Sequence, residues 1–160
     1  MREKVLSFLE LHGIPYRIVE HPATFRVEEH PAELAGLSVA KNLLLRDTKT
    51  RQIYMVILIG EKKLDVRLLA DALGMSKSRL TFVKYDDVEA TVGVKPGHVS
   101  VLNLLNDEAK DVQVVFDTAL LKYEEIGFHP NVNTASVFIK PEDVLRVIGT
   151  TGHDVLEVSL

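Results

Sequence analysis

Asn42-Leu43-Leu44-Leu45-Arg46, followed by Asp47-Thr48-Lys49-Thr50 and then by Gln52-Ile53-Tyr54-Met55-Val56-Ile57-Leu58-Ile59, decides the fold. Two apolar runs around a short polar turn read as a β-hairpin. Their near-continuous hydrophobicity suits strands buried on both faces. Ala40 and Lys41 lead into the first run, so the Lys41-Asn42 pair carries polar groups to the rim of the core. Polar groups placed there demand partners, and a ligand is one such partner.

On the N-terminal side of the hairpin, Val5, Phe8, Leu9 and Leu11 mark an amphipathic helix that Gly13 can end in a left-handed cap, and Pro15 to Glu20 reads as a strand. His21-Pro22-Ala23-Thr24-Phe25 is a loop, and Glu28 to Leu37 is a helix candidate despite Pro31. On the C-terminal side, Asp65 can cap a helix carrying Leu68, Leu69, Ala72 and Leu73 that Gly74 closes. Arg79 to Val83 reads as a strand, Asp86 to Val92 as a short helix and Lys95-Pro96-Gly97-His98 as a turn. Val112 to Phe116 is the next strand. Gly127-Phe128-His129-Pro130-Asn131 reads as a turn leading into a strand over Asn133 to Ile139. Pro141, Glu142 and Asp143 suit the first turn of a helix through Ile148, and Val155 to Val158 is a last strand. Strands separated sometimes by helices and sometimes by tight turns predict an α+β fold with a mixed sheet.

The 160 residues, 46% of them hydrophobic, fit one domain over 1–160. A chain of this length buries roughly two-thirds of its unfolded surface. With no cysteine, disulfides, thiolate metal sites and a cysteine nucleophile are excluded. Met1-Arg2-Glu3-Lys4 lacks an apolar signal region, and no later run reaches the roughly 18 apolar residues of a membrane span. The expectation is a cytoplasmic protein with no membrane contact, monomeric or dimeric.

The net charge of −4 is unevenly spread. Residues 41–84 hold ten Lys and Arg against four acids, a local +6, and the remainder sums to −10. A protein gripping one end of a polyanion has this asymmetry, and so does one with ordinary solvated strand and helix faces. No Gly-rich phosphate loop precedes a lysine, no Gly-x-Ser-x-Gly occurs, and the six histidines lack metal-ligand spacing, so no metal site is expected. The acidic pairs Glu28-Glu29, Asp86-Asp87 and Glu124-Glu125 sit in polar stretches as solvated faces or caps.

Seven segments occur in order along the chain: His21 to Phe25, AKNLLLRD at 40–47, SRLTF at 78–82, Gly93 to Ser100, Asn106-Asp107, GFHPN at 127–131 and Gly152-His153. In this combination the sequence resembles the YbaK/prolyl-tRNA synthetase-associated editing superfamily, within it the free-standing ProXp-ala (PrdX) branch. The resemblance covers almost the whole chain. It implies a mixed, largely antiparallel sheet or partial barrel flanked by helices, and hydrolysis of the ester that joins a wrong amino acid, alanine in this branch, to tRNA. It implies no cofactor. The implied partners are tRNA and prolyl-tRNA synthetase.

On the same resemblance the functional positions fall on Lys41, Asn42, Gly127, His129 and Asn131. Lys41 supplies a cation for a phosphate or ester oxygen, and Asn42 an amide for a ribose hydroxyl or a carbonyl. Gly127 admits close backbone approach, with N–H groups around 127–129 as oxyanion candidates, and His129 projects from a loop stiffened by Pro130. An ester is already activated, so the site has to position a water and stabilise the tetrahedral oxyanion, and the substrate's free ribose hydroxyl can assist the water. Rejecting proline while admitting alanine calls for tight aliphatic walls, expected from Ile18, Leu43 and Leu45 with Phe25 or Phe128. Leu44 stands where the family usually has phenylalanine, and Arg26-Val27 follows Phe25 where Thr-Val is common. These departures leave cysteinyl and seryl esters as alternatives, beside a silent tRNA- or synthetase-binding module and, ranked lowest, a small-molecule amidase or esterase.

Overall fold

In the computed structural model, which describes residues 1–26 and 29–160, the chain begins with α1 (Arg2–Leu11), β1 (Arg17–Glu20), β2 (Ala40–Asp47), β3 (Ile53–Ile59) and α2 (Val66–Leu73). It continues through β4 (Leu80–Phe82), α3 (Val88–Val92), β5 (Val112–Asp117) and β6 (Ile126–Phe128), and ends with β7 (Ala135–Ile139), α4 (Pro141–Thr150) and β8 (Val155–Val158). The hairpin of β2 and β3 forms as its sequence predicts, and every residue of β3 is buried. Its turn is organised by the Asp47 carboxylate, which accepts from the Lys49 N–H at 2.9 Å and the Thr50 hydroxyl at 2.8 Å. The Arg79 guanidinium closes on the same carboxylate in a two-pronged ion pair, so β4 is clamped to the end of β2 that the turn defines. α2 has the expected ends: the Asp65 carboxylate accepts from Arg67 N–H at 3.0 Å, and Gly74 takes φ 70°.

The strands make two sheets. Five lie in the order β4-β2-β3-β5-β8, with β3-β5 and β5-β8 parallel, and three in the antiparallel order β1-β7-β6. The architecture is therefore mixed and largely antiparallel, without barrel closure. One face of the larger sheet, with Leu44, Met55, Ile57 and Phe116, packs on Val137 and Ile139 of the smaller sheet and on Val5, Leu9, Val144 and Ile148 of α1 and α4. The other face, with Leu45, Val56, Leu58 and Val115, packs under Leu69 and Ala70 of α2. None of the helices among the described residues is long and apolar enough to cross a membrane.

Two local expectations are corrected, and one further element appears that the sequence left unassigned. In place of a helix over Glu28 to Leu37 there is a single 3-10 turn at Ala32–Leu34; Val27 and Glu28 lie outside the described residues. Pro31 is extended and Gly36 takes φ 73°, so the two residues fence off any longer helix. Ile126-Gly127-Phe128 is a strand rather than part of a turn. Val101–Asn106, unassigned by the sequence, is a 3-10 helix whose N-terminal Ser100 and Asn103 form a capping box.

The sheets meet at Gly127. Its N–H donates to the Ser38 carbonyl at 2.9 Å and an isolated parallel bridge joins it to Val39. A Cβ there would lie 2.9 Å from ring carbons of Phe138 and 3.1 Å from Val39 Cγ1, so only glycine permits this approach. Gly127→Ala is expected to destabilise the protein by about 1–3 kcal/mol in denaturant titrations. Gly149→Ala, whose Cβ would enter open space in α4, is expected to stabilise it by up to about 1 kcal/mol.

Candidate active site

The site arises from an interruption in one strand edge. The Val39 carbonyl accepts from Gly60 N–H, on the β3 side, whereas the Ser38 carbonyl accepts from Gly127 and the Leu44 carbonyl from Val83 N–H, on the opposite side. Backbone groups alternate along a strand, so the N–H and C=O of Asn42 also point to that opposite side. There they meet no strand: β6 engages the edge at Val39 and β4 only from Leu45 onward. Into the gap opens a cavity of about 630 Å³ bordered by β2, the end of β4, β6, residues 24–26 and 29, and the loop at 96–99. Its apolar wall includes Leu34, Val39, Leu43, Leu44, Val83, Val88, Val99 and Phe128.

Lys41 and Asn42, adjacent in sequence, project from opposite faces of β2. Lys41 Nζ donates to the Lys62 carbonyl at 2.7 Å, which fixes the long side chain while leaving two ammonium donors. Lys62 is itself held, its Nζ 2.6 Å from the fully buried carboxylate of Asp117. Asn42 Oδ1 accepts from Val101 N–H at 3.1 Å. An N–H can only donate, so the amide orientation is settled: Oδ1 is spent on Val101, and Nδ2 has no acceptor among the described residues in a side chain that borders the cavity.

Opposite them stands a pair of histidines, ring centroids 6.0 Å apart. His129 Nδ1 lies 3.2 Å from the Gly97 carbonyl, an obligate acceptor, so Nδ1 carries the proton and Nε2 keeps its lone pair, 3.4 Å from the Thr24 hydroxyl. Burial above all, then the neighbouring His21, pushes the His129 pKa down from 6.5 to about 4, against the opposing pull of the Gly97 carbonyl. His129 is thus a neutral acceptor near pH 7 and a weak base. His21 follows the same logic: Nδ1–H donates to the Pro22 carbonyl at 2.8 Å, and Nε2 accepts from the Ser136 hydroxyl at 2.9 Å. Among the described residues no three His, Asp or Glu side chains converge as a metal site.

Of the residues singled out by sequence, Lys41, Asn42, Gly127, His129, Phe25, Leu43 and Phe128 line this one cavity. Three lie elsewhere. Ile18 packs against the core beneath the smaller sheet, and Leu45 is buried under α2, one strand position too far from the gap. Asn131, at φ 61°, accepts from Asn103 Nδ2 at 2.7 Å and pins the 129–131 turn to the 3-10 helix. The Gly127 N–H, an oxyanion candidate by sequence, is taken by Ser38; the His129 N–H has no acceptor among the described residues. Thr24, Phe82, Gly97 and Ser136 also border the cavity and went unassigned. All but Ser136 belong to the segments that carry the family resemblance, which was their only signal.

Residues 21–147 match a protein family described as the aminoacyl-tRNA editing domain. The chain is 32% identical to the prolyl-tRNA editing protein ProX of Acetoanaerobium sticklandii, over 99% of this chain and 97% of that one. It is 33% identical to the mouse prolyl-tRNA synthetase associated domain-containing protein 1, over 96% of this chain and 93% of that one. Among solved structures, that of a candidate trans-editing enzyme for prolyl tRNA synthetase superposes with a TM-score of 0.73 at 21% identity, covering 99% and 96% of the two chains.

The histidine geometry carries its own test. An imidazole whose pKa falls from 6.5 to about 4 on folding binds its proton more readily in the unfolded chain. Its contribution to stability is therefore full above pH 6.5 and is lost as pH falls toward 4. Nitrogen-15 NMR is expected to show His129 as the neutral Nδ1–H tautomer from neutral pH down to about 5, with a midpoint near 4.

Proposed function

The chain belongs to the aminoacyl-tRNA editing domain family and is an aminoacyl-tRNA deacylase, and we propose that its substrate is alanyl-tRNA of proline identity. The observation that carries this reading is the convergence of Lys41, Asn42 and His129 on one cavity beside an unpaired strand edge. The volume of about 630 Å³ suits an aminoacylated adenosine rather than a bare methyl group. Discrimination against proline then falls to the recess among Leu34, Val39, Leu44, Val88 and Phe128, where a pyrrolidine ring overlaps the wall. A second sieve of this kind is what a prolyl synthetase needs, because a pocket that fits proline also admits alanine.

In the reaction a water oxygen bonds to the ester carbonyl carbon while the free neighbouring ribose hydroxyl takes the water's proton and passes its own to the ester's ribose oxygen as that oxygen leaves. The tetrahedral oxyanion collapses, the carbon–ribose oxygen bond breaks, and that oxygen leaves protonated. Lys41, with two donors uncommitted, stabilises the oxyanion, and the Asn42 amide holds the ribose or the carbonyl. The lone pair of His129 Nε2 accepts from the amino group of alanine, a positioning role that suits a neutral ring and a weak base. The N–H groups of Asn42 and His129 are further donors at the gap. Residues 1–160 act as one editing unit in the cytoplasm, on tRNA mischarged by prolyl-tRNA synthetase.

Labelled alanine is expected to be released from alanyl-tRNA(Pro) by the wild-type protein, with prolyl-tRNA(Pro) spared. Lys41→Ala should lower kcat/KM by about 10²–10³-fold, the loss typical of an oxyanion donor. Faster release of cysteine or serine would overturn the choice of alanine while leaving editing intact. Binding of tRNA with no release of any amino acid would overturn the catalytic reading in favour of a recognition module.

A further inference from the structure

The large hydrophobic residues with high exposure among the described residues include three aromatics, and two of them border the same cavity. Phe25 (64% exposed) and Phe82 (52%) border the cavity, and Tyr85 (73%) follows Phe82 by three positions. A solitary exposed apolar side chain is ordinary; two exposed phenylalanines bordering one cavity are not. Phe82 ends β4 in register with Leu45, so its ring projects from the same sheet face as Leu43 and Lys41. Leu80, two residues earlier on that face, is buried under α2, whereas Phe82 has run past the helix and lies open. The strand thus carries a flat apolar surface from the core out to solvent beside the candidate catalytic lysine.

The charged residues that border the cavity are Arg26, Lys41 and one carboxylate, Glu29, which accepts from the Phe25 N–H at 3.0 Å, so the rim keeps a cationic balance that favours an anionic chain. Arg26 and Lys41 border the cavity with the two phenylalanines, Lys84 follows Phe82 by two positions, and none of the three is in an ion pair among the described residues. An exposed aromatic face flanked by unpaired cations is the composition that holds unpaired nucleotides, the ring stacking on a base and the cations meeting phosphates.

We propose that Phe82 is the stacking platform for the unpaired base that precedes the acylated adenosine. The proposal rests on the cavity holding the aminoacylated end of a tRNA, as argued above. It adds the path by which the single strand leaves the site, over the end of β4 and along the face that carries Lys41. Phe82 is a binding residue here and touches no reacting atom.

Two measurements test it. In the first, kcat/KM is compared for alanyl-tRNA(Pro) with an intact 3′ end and for the same substrate with the penultimate base removed. Phe82→Ala should cost about 5- to 100-fold on the intact substrate and close to nothing on the abasic one, with Phe82→Trp restoring most of the loss. Equal losses on both substrates would overturn the stacking role, since a merely structural residue does not sense one base. The second measurement needs no turnover, so it separates failure of the platform from failure of the deacylase reading. The chain has no tryptophan, which makes Phe82→Trp a single fluorophore. Saturable quenching by an uncharged CCA-ended acceptor minihelix that is lost when the penultimate base is absent would support the platform, whatever the amino acid removed. Quenching that is absent, or indifferent to that base, would overturn it.

Discussion

One hydrogen bond, from Gly127 N–H to the Ser38 carbonyl at 2.9 Å, holds the site together. It docks the edge of the small sheet onto β2 at the end opposite β4, and so turns a continuous strand edge into a gap closed on both sides. An open edge is a hazard because any extended chain can pair with it. Here the stretch from Ala40 to Leu43 spans only roughly 10–14 Å, too short and too enclosed to template a strand. Its backbone groups still need partners, and an ester with an amino group beside it can supply both a donor and an acceptor. The glycine that makes the docking possible is therefore a condition of the site even though its own N–H is spent on structure.

Around this junction the loops are tied by side-chain amides in a closed circuit. Asn42 takes the first N–H of the 3-10 helix over Val101–Asn106, and Asn103 of that helix takes Asn131. Asn133 Nδ2 donates to the Thr24 carbonyl at 2.9 Å, which carries the circuit back to the loop that faces His129. No buried side-chain nitrogen or oxygen among the described residues is left unpaired. A network satisfied at every buried position is rigid, and rigidity is what lets a site select between amino acids that differ by a few carbons.

The elements that sequence reading reaches are those whose cause is local. The hairpin of β2 and β3 is written in two apolar runs and an aspartate-led turn, and α2 in a capping aspartate and a closing glycine. β6 escaped because three residues with a glycine at the centre carry no strand signal; it exists through pairing with β7 and through contact with a strand some ninety residues earlier in the chain. The helix expected before β2 failed because Pro31 and Gly36 bracket a segment too short for one. For the site, residue types and motif order indicated Lys41, Asn42 and His129. The misplacement of Leu45 and Ile18 has another origin: strand alternation fixes a face, but which stretch of that face opens on a cavity depends on where the neighbouring strand stops.

That same dependence explains how a lysine and an asparagine adjacent in sequence can border one cavity from opposite faces of a sheet. In the middle of a sheet such a pair is separated by the backbone layer, and its members address different compartments. At an interrupted edge the layer ends, and both faces reach round to the same space. The division assigns the charges: the ammonium, steadied by the Lys62 carbonyl, stands on the face that continues to Phe82, and the amide stands on the face that meets the neutral His129. In the proposed reading, a substrate threaded through the gap would place its polyanionic strand toward the cation and its own ammonium toward a lone pair rather than toward a second positive charge. On the reading proposed here, burial that keeps His129 uncharged matters as much as the lysine opposite it, since a protonated ring there would repel the amino group of an aminoacyl ester.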